Sequence, residues 1–179
     1  MKVIIMAGGR GSRINDPNKP LIEVLGKPMI EYVVDAVSGL GAVYVATTRG
    51  HDRIIEWARS RGYDVVLTSG RDYPSDLVEA LRAVGTPALV LPGDMPLLSR
   101  GFIIKFLRAA AYVRTPMVTL VAVRSSEHVY TGISYVRELV IINGVIPWTT
   151  LATPWTTELL NVNTREDLER AVEALGGGH

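Results

Sequence analysis

Cysteine is absent from this 179-residue chain. That excludes disulfides, thiolate chemistry, iron–sulfur clusters and cysteine-type zinc sites. Histidine is scarce: His51, His128 and His179 are the whole set, and no HExxH occurs. A histidine-rich metal centre is therefore not expected. Charge of one sign is missing too. Nineteen Lys and Arg stand against eighteen Asp and Glu, a net of +1, which lacks the basic surface that nucleic-acid binding rests on. Lysine itself is rare, with only Lys2, Lys19, Lys27 and Lys105. Long apolar runs are lacking as well. The opening "MKVIIMAGG" is too short for a signal peptide or a membrane span. The expectation is a soluble cytoplasmic protein with neither nucleic acid nor membrane as partner.

What the chain does contain is an alternation of short apolar runs with helix-period segments. Val3–Ala7, "VYVAT" (43–47), "DVVLT" (64–68), "ALVLP" (88–92) and "PMVTLVAV" (116–123) read as buried strands. Between them lie helices: one opened by Pro28 and closed at Gly39 or Gly41, one capped by Asp52, one beginning at Ser75, and one capped by Ser99. Continuous apolar strands separated by helices make βαβ units. The fold class expected is α/β: a doubly wound, three-layer α/β/α domain with a mostly parallel central sheet. The second half reads differently. "LVIINGVIPW" has Asn143–Gly144 between apolar runs, a type I′ hairpin signature, and Thr164 caps a last helix, "REDLERAVEAL". At this length one domain is expected, over 1–175. Residues 1–123 would form a nucleotide-binding part, 124–163 a β-rich acceptor-binding elaboration, and 164–175 the C-terminal helix.

Two places carry chemistry. The first is "MAGGRGSR", immediately after the first strand. In open α/β sheets, ligands sit beyond the carboxyl ends of the strands. The loop matches neither GxGxxG nor a P-loop, and a tight turn alone would account for its glycines. Yet Arg10, Arg13 and Lys19 fall within ten residues of one another, and Pro20 biases Lys19 away from helix geometry. Backbone N–H groups with a few cations suit a triphosphate. A solvated surface charge explains Arg10 equally well. The second place is "LPGDMPLLS", where Asp94 stands alone among apolar residues at a strand end. A turn aspartate is the plain reading. A buried carboxylate needs a partner, and Mg²⁺ bridged to phosphates supplies one.

The pattern "MAGGRGSR…NKPLIEVLGKPMIEYVV" resembles the MobA-like nucleotidyltransferase family, built on a glycosyltransferase-A-like (nucleotide-diphospho-sugar transferase-like) fold. The resemblance implies that Ala7, Gly8, Gly9, Arg10, Gly11 and Ser12 bind nucleotide through the loop. It implies that Arg13 and Lys19 hold phosphate oxygens and that Asp94 ligates Mg²⁺ (or Mn²⁺). A second ligand would come from "NVN": Asn163 matches best, with Asn161 close enough to compete. Ser69 and Gly70 would face the nucleobase, with Asp76 a weaker candidate that an ordinary first-turn helix acid also explains. By position at a strand end, Thr47 and Thr48 are candidates for the pocket wall, while Arg49 and His51 read as surface. Gly132, in "EHVYTGISYV", is a candidate for close approach by the acceptor. The aromatics around it, Tyr130, Tyr135, Trp148 and Trp155, read mostly as packing.

Within that family the long match, through "TSGRDYPSDLVEAL" to "ELLNVNTREDLERA", is similar to the archaeal adenosylcobinamide-phosphate guanylyltransferases. This implies GTP as donor, adenosylcobinamide phosphate as a phosphorylated small-molecule acceptor, pyrophosphate release and a role in cobalamin biosynthesis. A homodimer is a candidate assembly. Molybdenum-cofactor guanylyltransferase and sugar-phosphate nucleotidyltransferase activities stay open, as does a non-catalytic nucleotide sensor.

Overall fold

A seven-stranded sheet forms the centre of the molecule, in the order β5-β4-β1-β6-β8-β7-β9. The computed structural model describes residues 1–9 and 16–177. Strand β1 (Lys2–Met6) is followed by a short antiparallel pair, β2 (Glu23–Val24) and β3 (Lys27–Pro28), and by α1 (Met29–Ala36). Next come β4 (Ala42–Thr48), α2 (Asp52–Ser60), β5 (Asp64–Thr68), α3 (Tyr73–Val84) and β6 (Ala88–Pro92). The second half holds α4 (Arg100–Ala111), β7 (Met117–Arg124), β8 (Glu127–Val136), β9 (Trp148–Pro154) and α5 (Arg165–Gly176).

The mostly parallel sheet expected from the sequence is present. Strand β1 runs parallel to both β4 and β6, β4 to β5, and β7 to β9. Only β8 is reversed among these strands, slotted between β6 and β7. Period-2 alternation explains the layers. Val3, Ile5, Leu89 and Leu91 face one core with α1, α2 and α4, while Ile4, Val90 and Ala88 face the other with α3. Each such buried side chain contributes about 1.5–3 kcal/mol, so the two-sided burial of β1 and β6 fixes their register.

Several helix ends differ from the sequence expectation. Helix α3 starts at Tyr73, two residues before Ser75, because Asp72 is its cap and accepts from Ser75 N at 2.8 Å. Pro74 in its first turn lacks an N–H that would be unpaired there in any case. Asp52 lies inside α2 rather than capping it, with His51 at the cap position. Helix α1 ends at Ala36, short of the glycines. Asn143 and Gly144 do take the positive φ of a type I′ turn, 51° and 83°. The hairpin around them is a single bridge, Ile142–Val145, rather than a ladder, so Ile141, Ile142 and Val145 stay exposed. Ser99 caps α4 and Thr164 caps α5 as expected.

The chain leaves β1 toward β4 and β5, and later fills the other side with β6. The carboxyl ends of β1 and β6 therefore flank the point where the strand order reverses, where α/β sheets bind ligands.

Candidate active site

At that switch point lies a cavity of about 590 Å³, walled by the end of β1 (Ala7, Gly8, Gly9), by Lys19 and by Asp94. The expected loop is thus brought to the cavity as far as Gly9. Arg10, Gly11, Ser12 and Arg13 lie outside the described residues. The two described glycines differ. A Cβ on Gly8 would press on Thr47 Cα and Thr48 Cγ2 at 3.3 Å, so packing on β4 accounts for it. Gly9 meets no such constraint: no described protein atom lies within 4 Å of where its Cβ would be.

Lys19 follows the loop in a single 3-10 turn, Lys19–Leu21, opened by Pro20. Its ammonium pairs with the Asp94 carboxylate, both side chains being about one-seventh exposed, at 13% and 14%. The same ammonium donates to Asn163 Oδ1 at 3.0 Å. Asp94 is carried here by Gly93, whose N–H donates to Met6 O at 3.0 Å and ties the turn after β6 to the end of β1. Burial pushes the Asp94 carboxyl up from the ordinary 3.8, and Lys19 beside it pulls it back only in part.

The "NVN" segment arrives by backbone pairing. Val162 N donates to Asp94 O at 3.0 Å, while the Val162 side chain is buried beneath against Val24, Met29 and α5. In an extended segment its neighbours project the other way, so Asn161 and Asn163 both line the cavity. Their jobs differ. Asn163 receives Lys19. Asn161, with its amide nitrogen turned to Asp94, donates to both carboxylate oxygens at 2.7 and 2.9 Å. Asp167, the third residue of the α5 capping box, steadies the segment by accepting from Asn163 N at 3.0 Å.

The groups at this corner are one carboxylate and two amides, of which Asn163 already gives its oxygen to Lys19 and Asn161 faces Asp94 with its nitrogen. Among the described residues no group of three or more His, Cys, Asp or Glu converges. Such a set is too sparse for a resident transition metal. It suits Mg²⁺, a hard ion that takes one or two protein carboxylates and fills its other positions with phosphate oxygens and water.

The far wall is formed by the loop after β5 and the start of α3. Gly70 lines the cavity with φ 70°, and a Cβ there would meet Thr48 Cγ2 at 2.8 Å. Ser69 does not line it. The Ser69 N–H donates to Glu79 Oε2 at 2.6 Å and the residue is exposed, so this candidate is corrected. Asp76, read from sequence as an ordinary helix acid, is instead buried at the cavity wall, where Oδ1 accepts from Gly70 N at 2.8 Å. Thr47 is also corrected. It is fully buried and its hydroxyl donates to Ala7 O at 3.2 Å, so it supports the loop from below rather than facing a ligand. His51, read as surface, is buried against the hydroxyls of Thr47 and Thr48, at 3.1 and 3.3 Å. Gly132 does line the cavity, with φ 79° and Pro92 Cγ 3.2 Å from a Cβ position.

Two of the four aromatics depart from the packing role. Tyr135 and Trp155 pack on the core. Tyr130 and Trp148 are 61% and 47% exposed and meet edge to face, centroids 5.8 Å apart. Neither Asp76 nor this pair was distinguishable by residue type. A hint lay in Asp76 sharing a helix face with buried Ala80, four residues on.

Known proteins share this architecture. The adenosylcobinamide-phosphate guanylyltransferase of Methanocaldococcus jannaschii is 29% identical over 96% of this chain and 95% of its own length. The 3-deoxy-manno-octulosonate cytidylyltransferase of Tolumonas auensis is 29% identical over 86% of this chain, which spans 62% of that enzyme. Among solved structures, the molybdopterin-guanine dinucleotide biosynthesis protein A of Archaeoglobus fulgidus superposes with a TM-score of 0.73 over 99% of this chain and 100% of that one. At 18% identity it speaks for the fold alone. The MobA-like NTP transferase domain matches residues 3–176. With Lys19, Asp94 and the paired asparagines gathered at the end of its parallel sheet, this chain belongs to the MobA-like NTP transferase family and is a nucleotidyltransferase.

Proposed function

We propose that the protein transfers GMP from GTP to a phosphate monoester, adenosylcobinamide phosphate, and releases pyrophosphate. The observation that carries the chemistry is the buried Lys19–Asp94 pair, framed by Asn161 and Asn163, at the mouth of the glycine loop. The choice of acceptor rests on end-to-end likeness: the archaeal guanylyltransferase is matched over nearly its whole length, the cytidylyltransferase over under two thirds.

An acceptor phosphate needs no general base, because its second pKa is about 6 and its oxygen is largely ionised at neutral pH. That oxygen attacks the α-phosphorus, the new P–O bond forms, and the bond to the β-phosphate oxygen breaks, expelling pyrophosphate. Positioning and charge stabilisation then dominate. Lys19 holds phosphate oxygens, with Arg13 doing the same from the loop. Gly8 and Gly9 present backbone to the triphosphate, and no described atom within 4 Å of a Cβ at Gly9 stands against that approach. Asp94 would hold Mg²⁺, with Asn163, or Asn161 beside it, turning an amide oxygen to the ion as second ligand. When bound, the ion supplies positive charge against the developing charge on the phosphates.

Asp76 supports guanine. Its carboxylate is an acceptor buried at the far wall, and guanine presents two adjacent N–H donors on its Watson–Crick edge. Residues 1–123 would bind the nucleotide, 124–163 the acceptor, within one domain closed by the 164–175 helix.

The test is pyrophosphate release with each of GTP, CTP, UTP and ATP, against adenosylcobinamide phosphate, a sugar 1-phosphate and 3-deoxy-manno-octulosonate. Release confined to GTP with adenosylcobinamide phosphate is expected. Release with CTP and the octulosonate instead would replace this reading with a cytidylyltransferase. GTP binding with no release for any acceptor would make the protein a sensor.

A further inference from the structure

Beyond the polar cavity lies a second one, of about 600 Å³, between α3 and the strand edge. Arg71, Tyr73, Tyr130 and Gly132 line both. The two spaces therefore meet at Gly132, where the Tyr73 hydroxyl donates to Gly132 O at 3.3 Å. The second cavity is the more apolar of the two. Leu77, Val78, Met117, Ile146 and the Tyr130–Trp148 pair form its apolar walls, and Glu79 and Arg82 line it as well. Its rim carries Ile141 and Val145, 40% and 59% exposed.

An apolar surface of this kind, half-exposed and continuous with a binding site, marks a ligand or partner surface. Thr119 and Ser134 line the groove, buried and bonded to each other at 2.9 Å. Its remaining polar lining is Arg71, Ser75, Glu79 and Arg82, with Arg71 donating to Glu79 Oε1 at 3.4 Å. A broad body with apolar faces covers the exposed aromatic pair, while polar groups round its edge can pair with those side chains. The polar cavity is by itself of the size that encloses one drug-sized ligand. With a triphosphate in it, an acceptor larger than its own phosphate must extend past Gly132.

We propose that this groove seats the body of the acceptor, a broad group with apolar faces that carries the phosphate, with Tyr130 and Trp148 lying against it. The assignment rests on the nucleotidyl-transfer reading above and adds which acceptors fit. A corrinoid macrocycle, apolar on its faces and edged with carboxamides, has the breadth to cover both rings, and a hexose does not. Tyr130 and Trp148 are then specificity residues acting on the acceptor's body. Gly132 marks the point where its phosphate enters the polar cavity.

Calorimetric titration of the full chain with adenosylcobinamide, which has the body but not the phosphate, separates the groove from the phosphate site. Wild type is expected to bind it, and Trp148→Ala and Tyr130→Ala to weaken that binding tenfold or more. GTP affinity of Trp148→Ala, whose side chain lines only the second cavity, should stay within about twofold, which also shows that this variant is folded, and circular dichroism checks Tyr130→Ala. Unchanged corrinoid binding in both variants overturns the proposal, as does no binding by wild type. Sedimentation supplies the remaining arm. A wild-type dimer that Trp148→Ala turns into a monomer, with corrinoid affinity unchanged, makes the groove a subunit contact and overturns the proposal. Failure of GTP to release pyrophosphate with any acceptor would instead strike the transfer reading, and the titration reports the groove independently of it.

Discussion

The two cavities meet at one glycine and are built by opposite means. The polar corner at Asp94 draws on residues far apart in the chain, and each of its charged or amide groups has a partner: Lys19 with Asp94 and Asn163, Asn161 with Asp94. The groove beside Trp148 draws on β7, on the stretch 130–148 and on the side of α3, and Tyr130, Trp148, Ile141 and Val145 stay partly bare within it. On the proposed reading Lys19 leaves Asp94 for phosphate and Asp94 turns to a cation, so the corner supplies charges already held in place for the charge that develops. An uncovered groove gains by being covered, so it contributes affinity rather than rate. The lesson is a division of labour: chemistry where the charges are buried, selection where the apolar surface is bare.

Breaking the corner should give the largest effect. Asp94→Ala or Lys19→Ala is expected to lower kcat by about 10²–10³-fold or more, measured as pyrophosphate release, with unchanged circular dichroism. A variant retaining wild-type turnover would remove the corner from the chemistry. Truncations in the groove should act on the acceptor's KM instead, so the kcat-against-KM split sharpens the contrast directly.

A smaller effect is expected at the wall opposite the corner. Asp76→Asn keeps an oxygen for Gly70 N but loses the carboxylate. The preference for GTP over ITP, which lacks the guanine amino group, should fall by about 10–100-fold in kcat/KM, the worth of one hydrogen bond to a charged group. An unaltered ratio would leave Asp76 as a loop anchor only.

The pH dependence of the corner should show two opposite trends. Because burial raises the Asp94 carboxyl, activity that needs the carboxylate should fall on the acid side at a pH above the ordinary 3.8. For stability the sign reverses. The folded state keeps a proton over that window which the unfolded chain has released. Asp94's contribution is therefore full below 3.8 and is lost as pH rises through the raised folded value. Subtracting Asp94→Asn melts from wild-type melts across pH isolates this term, and a difference rising with pH would contradict it. The smallest effect is expected at the α5 cap. Thr164→Ala should cost about 1 kcal/mol, read from denaturant midpoints, with a modest loss of GTP affinity as Asn163 loosens.

Much of this was legible from sequence because it was local. Val3–Ile5 and Leu89–Leu91 announce buried strands, Ser99 and Thr164 announce caps, and Lys19 before Pro20 and Asp94 after an apolar run stand out as isolated charges. What failed to show was non-local. Thr47 looks like a loop residue, yet its hydroxyl is taken by a carbonyl forty positions away. Asp76 looks like any first-turn acid until the β5 loop folds over it. Tyr130 and Trp148 have the residue types of a core, and only the sheet lays them bare, Trp148 on the edge strand β9 and Tyr130 on the part of β8 that β6 does not reach. That both Asn161 and Asn163 face the cavity, each with a different partner, needed the Val162–Asp94 hydrogen bond, which no local pattern announces.

That same hydrogen bond gives the site a time as well as a place. Asp94 meets Asn161 and Asn163 only after the chain has run out through three more strands. A ribosome-bound chain ending near residue 156 would own the glycine loop, Lys19 and Asp94, with nothing to frame them. Such a fragment is expected to bind GTP far more weakly than the full chain in a filter assay. On that order of synthesis the charge pair would stay unframed until residues 161–163, just before the last helix, reach it.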